Sequence, residues 1–197
     1  MESTQGLTTT GFTFDHINAV EDFCKACDLV GYKNNNSIAS MKLEWCLKIG
    51  GQFFLTYLNN KIISLSGCHP LPEAGDSVYR VLFRGATLPE YQNLHGTLNK
   101  THMNSIPFYY HIPRQINWAT IAGYTTYAVT TNHNNKDGIE SMDKSHRVFK
   151  LLEKQNIVNC LHEHMTLFNA EQSVWNLNVD TYFSFRSKFK ERNELSI

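Results

Sequence analysis

Between Val78 and Leu98 the chain reads Val-Tyr-Arg-Val-Leu-Phe-Arg-Gly-Ala-Thr-Leu-Pro-Glu-Tyr-Gln-Asn-Leu-His-Gly-Thr-Leu, and the rest of the chain is organised around this stretch. Its first half is β-branched, aromatic and apolar, which is the composition of a buried strand. Pro89 brings no amide hydrogen and stops the ladder. The polar run after it has Gly96 as its one flexible point and leads to a helix start. A strand, a loop and a helix N-terminus in that order commonly receive a phosphate, because the first amides of a helix point outward unpaired.

With 197 residues and 42% hydrophobic content the chain can bury one sizeable core. A single domain is expected over residues 11–185, between a flexible N-terminal arm (1–10) and a charged C-terminal tail (186–197). Lys plus Arg and Asp plus Glu both number 18, with no basic stripe, which argues against a nucleic acid partner. No apolar run approaches the roughly 20 residues that span a bilayer. Met1–Gly6 lacks the basic-then-apolar pattern of a secretory signal. Together with five irregularly spaced cysteines, this reads as a cytoplasmic protein with reduced thiols.

Taken in order, Gly11–Phe14 alternates like a short strand, and Asp15 or Asn18 can cap the next helix. Val20, Phe23, Cys24, Cys27 and Val30 recur at helical spacing up to Gly31. Cys24 and Cys27 have the C-x-x-C form of a redox pair or half a zinc site. They equally read as two small apolar residues one turn apart on a helix face, and no second such pair exists. A second helix is predicted over Ile38–Ile49, closed by Gly50-Gly51. Gln52–Leu58 and Lys61–Gly67 flank Asn59-Asn60, a two-residue turn that needs positive φ, and asparagine tolerates it. Cys68–Asp76 is a longer turn into the strand at Val78, giving a three-stranded meander. Pro107 and Pro113 argue against one helix through their region, and Pro113 fits the first turn of a helix ending at Gly123. Tyr124–Thr131 reads as a buried strand, Asn132–Gly138 as a polar loop, and Glu140 or Ser141 as the start of a helix carrying Val148, Phe149, Leu151 and Leu152. Ile157–Phe168 and Val174–Phe185 read as final strands joined by Asn169–Gln172.

The order is strand, two helices, three strands, a helix, strand, helix and two strands. It calls for an α/β (α+β) fold with a central mixed sheet of about seven strands and helices on both faces. That order, over residues 11–185, resembles the GNAT superfamily of acyl-CoA N-acyltransferases. Phe53–Gly67 with Leu71-Pro72 is similar to the second and third strands of that family. Ala86-Thr87-Leu88-Pro89-Glu90-Tyr91-Gln92 is similar to the end of its fourth strand and the entry to its pyrophosphate loop. Trp118–Tyr124 resembles the third helix and its exit, and Val129–Asn132 the fifth strand with its terminal asparagine.

The resemblance implies acetyl-CoA or another acyl-CoA as cofactor, and a small-molecule or peptide amine as acceptor. It is compatible with a homodimer and gives no membrane role. It implies that the pantetheine arm lies along the backbone of Ala86, Thr87 and Leu88, faced by Asn132, with Ser141 near the cofactor. It places the pyrophosphate on Gln92, Asn93, Leu94, His95, Gly96 and Thr97. Two of those positions depart from the family: His95 and Thr97 stand where glycines let backbone amides approach closely. The family's general-acid tyrosine lies on the helix after the fifth strand, and no tyrosine occurs between Ser141 and Asn156.

For a general base, His69 follows the third strand near where the family's acceptor site opens. Its alternative reading is a turn histidine before Pro70. Glu163 serves if it faces the cleft, and is otherwise an exposed strand carboxylate. His162 and His164, two apart on a strand, share a face and could hold a metal only with further ligands, so no metal site is assigned. The function expected is transfer of an acyl group from acyl-CoA to a primary amine. The alternative is a catalytically inactive GNAT-like module that binds acyl-CoA or another small molecule.

Overall fold

The computed structural model describes residues 7–29, 42–91, 106–132 and 140–194. Seven strands form one mixed sheet: β1 (Thr8–Gly11), β2 (Gln52–Leu58), β3 (Lys61–Pro70), β4 (Val78–Thr87), β5 (Thr126–Asn132), β6 (Val158–Leu167) and β7 (Ala170–Leu177). Their spatial order is β1-β2-β3-β4-β5-β7-β6. The helices are α1 (Ile17–Leu29), α2 (Leu43–Lys48), α3 (Ile112–Ile121), α4 (Glu140–Lys154) and α5 (Val179–Glu194). The chain divides into two compact units, Met1–Pro70 with Val81–Ala122, and Leu71–Arg80 with Gly123–Ile197.

In the first unit β1 runs antiparallel to β2, and β2 to β3. The β2–β3 turn has Asn59 at φ 49° and Asn60 at φ 63°, the pair of left-handed residues that a two-residue hairpin demands. Strand alternation then sorts the two faces. Leu55 and Leu65 pack with Val20, Phe23, Cys24 and Cys27 of α1. Thr56 and Ser66, on the other face, meet the helical segment that leads into α3. That segment is continuous from Ile106, contrary to the expectation drawn from the prolines. Pro107–His111 forms a π-turn in which the Ile112 N–H donates to Pro107 O. The wider turn absorbs the prolines, one of which, Pro113, has no amide to offer the helix ladder.

In the second unit β4 and β5 are parallel neighbours, as the strand–helix–strand order predicts. The ladder joins Val78, Tyr79 and Arg80 to Thr126, Tyr127 and Ala128, and both strands continue beyond it. β7 pairs antiparallel with β5 and with β6. Leu71, Val78, Ala128, Leu167 and Val174 form a core on one face. Trp175, fully buried on the other, meets His146 and Phe149 of α4. At the end of α4, Asn156 takes φ 57° while Ile157 N–H donates to Leu152 O and Asn156 N–H to Glu153 O. That is a helix stop normally given to glycine.

Several boundaries differ from the sequence reading. The first strand is Thr8–Gly11, so it begins inside the stretch expected as an arm, and Phe14–His16 is a 3-10 turn. Thr13 closes the start of that turn, its N–H donating to His16 Nδ1 at 2.9 Å. The second helix is Leu43–Lys48; residues 38–41 of its expected span, like the loop Asn34–Ser37, lie outside the described residues. The turn before β7 is Phe168-Asn169, not Asn169–Gln172, because both residues take positive φ. The last expected strand, Val174–Phe185, is wrong beyond Leu177. Val179–Glu194 is helical, and the helix takes in most of the expected tail. Asn178 explains the switch, since its Oδ1 accepts from the Thr181 N–H as a helix cap does. No helix among the described residues is long and apolar enough to cross a membrane.

Candidate functional site

Two residues with side chains sit in left-handed backbone inside β4, Leu82 at φ 57° and Arg84 at φ 50°. Such a conformation costs roughly 1–2 kcal/mol per residue, so other contacts must hold the strand there. One is plain: the Leu82 N–H donates to Gln115 Oε1 of α3 at 3.0 Å.

Gln115 is anchored in turn. Leu82 can only donate, so the Gln115 atom facing it is the oxygen and its NH2 group faces β3. Nε2 donates to Ser66 Oγ at 2.8 Å, Gly67 O at 3.2 Å and Ser66 O at 3.3 Å. Ser66 Oγ also lies 2.8 Å from His111 Nδ1, and His111 Nε2 lies 2.8 Å from Thr56 Oγ1, which meets Thr9 Oγ1 at 2.8 Å. Ser66 Oγ, accepting from Gln115, either gives its hydrogen to Nδ1 while Nε2–H donates to Thr56, or accepts from Nδ1–H while Nε2 accepts from Thr56. A neutral imidazole therefore satisfies the row. Thr56, Ser66, His111 and Gln115 are fully buried. Burial first, and the Arg114 cation second, push the His111 pKa down to about 3.

The end of β4 is tied to β3 by side chain and backbone. Ser64 Oγ donates to Ala86 O at 3.0 Å and meets Thr87 Oγ1 at 2.8 Å, while the Leu88 N–H donates to Ile63 O at 3.0 Å. Backbone groups alternate along a strand. With Leu88 turned to β3, this alternation implies that the N–H and C=O of Thr87 are directed away from β3.

No family model matches the sequence, and no curated protein matches it. Solved structures do. A GNAT-family acetyltransferase from Staphylococcus aureus Mu50 matches at a TM-score of 0.52 and 14% identity, over 88% of this chain and 100% of that one. An acetyltransferase from Streptococcus agalactiae 2603 matches at 0.54 and 14%, over 88% and 99%. The aminoglycoside N-acetyltransferase AAC(6')-Ib11 matches at 0.54 and 9%, over 90% and 99%. This chain has the GNAT fold.

Of the residues that the GNAT resemblance singles out, Ala86, Thr87 and Leu88 are buried at the end of β4. Asn132 closes β5 opposite Gln172 of β7. Gln92, Asn93, Leu94, His95, Gly96 and Thr97 lie outside the described residues, as does the Ser141 side chain, though its backbone is in the first turn of α4. His69 is almost wholly buried, with Nδ1 donating to Pro70 O at 2.6 Å and its ring between Trp45 and Phe83, at centroid distances of 5.1 and 4.7 Å. That bond leaves Nε2 as the accepting nitrogen of the neutral ring. Glu163 is exposed on β6 and pairs with Lys150 of α4 at 3.4 Å.

The two strand histidines do not share a face in simple alternation, contrary to expectation. β6 slips register between Cys160 and His162 and again between His162 and Met165. His162 Nε2 lies 3.4 Å from Ala74 O, whereas His164 Nδ1 contacts the Glu171 carboxylate. Among the described residues no three His, Cys, Asp or Glu side chains converge as metal ligands. Cys24 and Cys27 are free thiols in the α1 core. Burial pushes their pKa values up to about 11 and about 12.

Sequence reasoning passed over His111 and Gln115. The signal was present: two polar residues four apart among Ile106, Phe108, Ile112, Ile116 and Ala119, hence on the buried face of one helix. Reading Pro107 and Pro113 as helix breaks hid that spacing.

Proposed function

We propose that the chain transfers an acyl group, acetyl first, from acyl-CoA to a primary amine of a small molecule or peptide. The observation that supports this most is the end of β4, where Ala86 O and Leu88 N–H are taken by β3, an arrangement from which strand alternation directs the Thr87 backbone away from β3. An amide-bearing pantetheine arm pairs with such an edge as a strand does. In this reading Ala86, Thr87 and Leu88 hold the arm, and Gln92–Thr97 take the pyrophosphate. His69, through Nε2, or Glu163 is the base.

Acyl-CoA supplies an activated thioester, so the protein has to position the reactants, donate to the developing oxyanion and accept the ammonium proton. The neutral amine nitrogen bonds to the acyl carbon, the carbon–sulfur bond breaks, and the second proton that the nitrogen sheds balances the one the leaving thiolate takes up. The shared fold with an aminoglycoside N-acetyltransferase makes polyamino small molecules the first acceptors to try.

Release of free thiol from acetyl-CoA across a panel of amines tests the proposal. An amine-dependent release is expected, reduced at least about tenfold in Thr87→Pro, which loses one backbone donor. The second reading, an inactive binding module, draws on His95 and Thr97 in the loop. It gains if acetyl-CoA binds but no amine provokes release.

A further inference from the structure

The bend in β4 has a support that the sheet does not provide, and it bears on the donor edge proposed above. Leu82 and Arg84 hold positive φ only five and three residues before Thr87. A strand bent at those points sets the direction of everything after it. The Leu82 amide is held by Gln115, and the amide group of Gln115 can face only one way because Ser66 Oγ, Ser66 O and Gly67 O hold its NH2. Ser66 is itself oriented by His111, whose far nitrogen is held by Thr56. The row thus runs from β2 through α3 and β3 to β4, inside one compact unit, and its four central side chains are fully buried.

We propose that Gln115 is a positioning residue for acyl transfer: locked by Ser66 and His111, it holds the left-handed bend of β4 and thereby the direction of the Thr87 backbone. This rests on the function proposed above. Gln115 touches neither acyl donor nor acceptor in this account; it acts through Leu82. An apolar residue of the same length would fill the space yet leave the Leu82 amide without its acceptor.

The test compares wild type with Gln115→Met, and with Ile116→Val as a packing change on the same helix. Ser66→Ala, which removes the shortest of the three acceptors of the Gln115 NH2 group without touching Leu82, serves if Gln115→Met fails to fold. Two readouts are taken on the full chain. The first needs no ligand: the NMR resonances and hydrogen exchange of the Leu82, Arg84 and Thr87 amides. Gln115→Met is expected to speed Leu82 exchange at least about tenfold and to move the Thr87 resonance, and Ile116→Val to do neither. The second is calorimetric affinity for acetyl-CoA, expected to weaken at least about tenfold in Gln115→Met only. Leu82 exchange unchanged in Gln115→Met, or equal losses of affinity in Ile116→Val, would overturn the inference. Failure of wild type to bind acetyl-CoA would instead sink the transferase reading, and the Leu82 and Thr87 amides would still decide whether Gln115 sets the strand.

Discussion

Acidification below pH 6.5 is expected to destabilise the fold through His111. In the unfolded chain this imidazole titrates near the ordinary 6.5, and in the folded chain burial holds it down to about 3. Between those values the unfolded state binds a proton that the folded state refuses. Stability is therefore whole above pH 6.5, falls as pH drops through the window, and stops falling on this account below about 3. One proton corresponds to about 1.4 kcal/mol per pH unit where the difference is complete. The structural reason is burial without a counter-charge: the ring's partners, Ser66 Oγ and Thr56 Oγ1, are neutral hydroxyls, and the Arg114 cation adds to the cost of a second positive charge. Urea unfolding of wild type and His111→Asn at several pH values from 7.5 to 5 is the check, because exposed carboxylates titrate mostly lower. The variant is expected to be less stable at pH 7.5 and to show the shallower decline with acid. Parallel declines would contradict the assignment.

Gly51→Ala is expected to cost about 3 kcal/mol or more, since the added Cβ has the shortest contacts among the described glycines. A Cβ on Gly51 would stand 2.4 Å from Cys68 O, 2.5 Å from Cys46 Sγ and 2.7 Å from Cys46 O. Two of these are backbone oxygens: Cys46 O accepts from the Gly51 N–H, and Cys68 O accepts from the Cys46 thiol. Neither can withdraw without loosening α2 or β3. Gly67→Ala meets only the Phe53 ring, at 2.8–3.1 Å, and the ring can tilt, so a smaller loss follows. Gly85→Ala, with Ser66 Cβ at 3.5 Å, is expected to stay within about 0.5 kcal/mol of wild type. Denaturant midpoints of the three variants should fall in that order. A Gly51→Ala protein of wild-type stability would mean that α2 packs differently against β3.

The elements that could be read from the sequence are those whose cause is local. Asn59-Asn60 announces its hairpin because few residues accept two positive φ values in a row. The strand at Val78 and its parallel partner after a helix follow from pattern and handedness. What could not be read depends on partners far along the chain. Leu82 and Arg84 carry no mark of left-handed backbone, since the acceptor that holds Leu82 lies 33 residues away. Val179–Phe185 has the aromatic composition of a strand and becomes helix because Asn178 caps it. Around the candidate site, the end of β4 at Ala86–Leu88 was legible through Pro89. His69 was legible as a residue, but the aromatic packing that buries it was not. Its burial comes from Trp45 and Phe83, on a helix and a strand that sequence distance does not connect.

Titration of the full chain with acetyl-CoA by calorimetry tests the central claim most directly, with Thr87→Pro as the comparison once circular dichroism shows that it is folded. One site per chain is predicted, at a dissociation constant of roughly 10 μM to 1 mM, since His95 and Thr97 bring side chains to positions where the resemblance expects glycines. Thr87→Pro is predicted to weaken binding at least about tenfold. Absence of heat at millimolar acetyl-CoA, or equal affinity in the two proteins, would contradict the assignment of β4 as an acyl-donor edge.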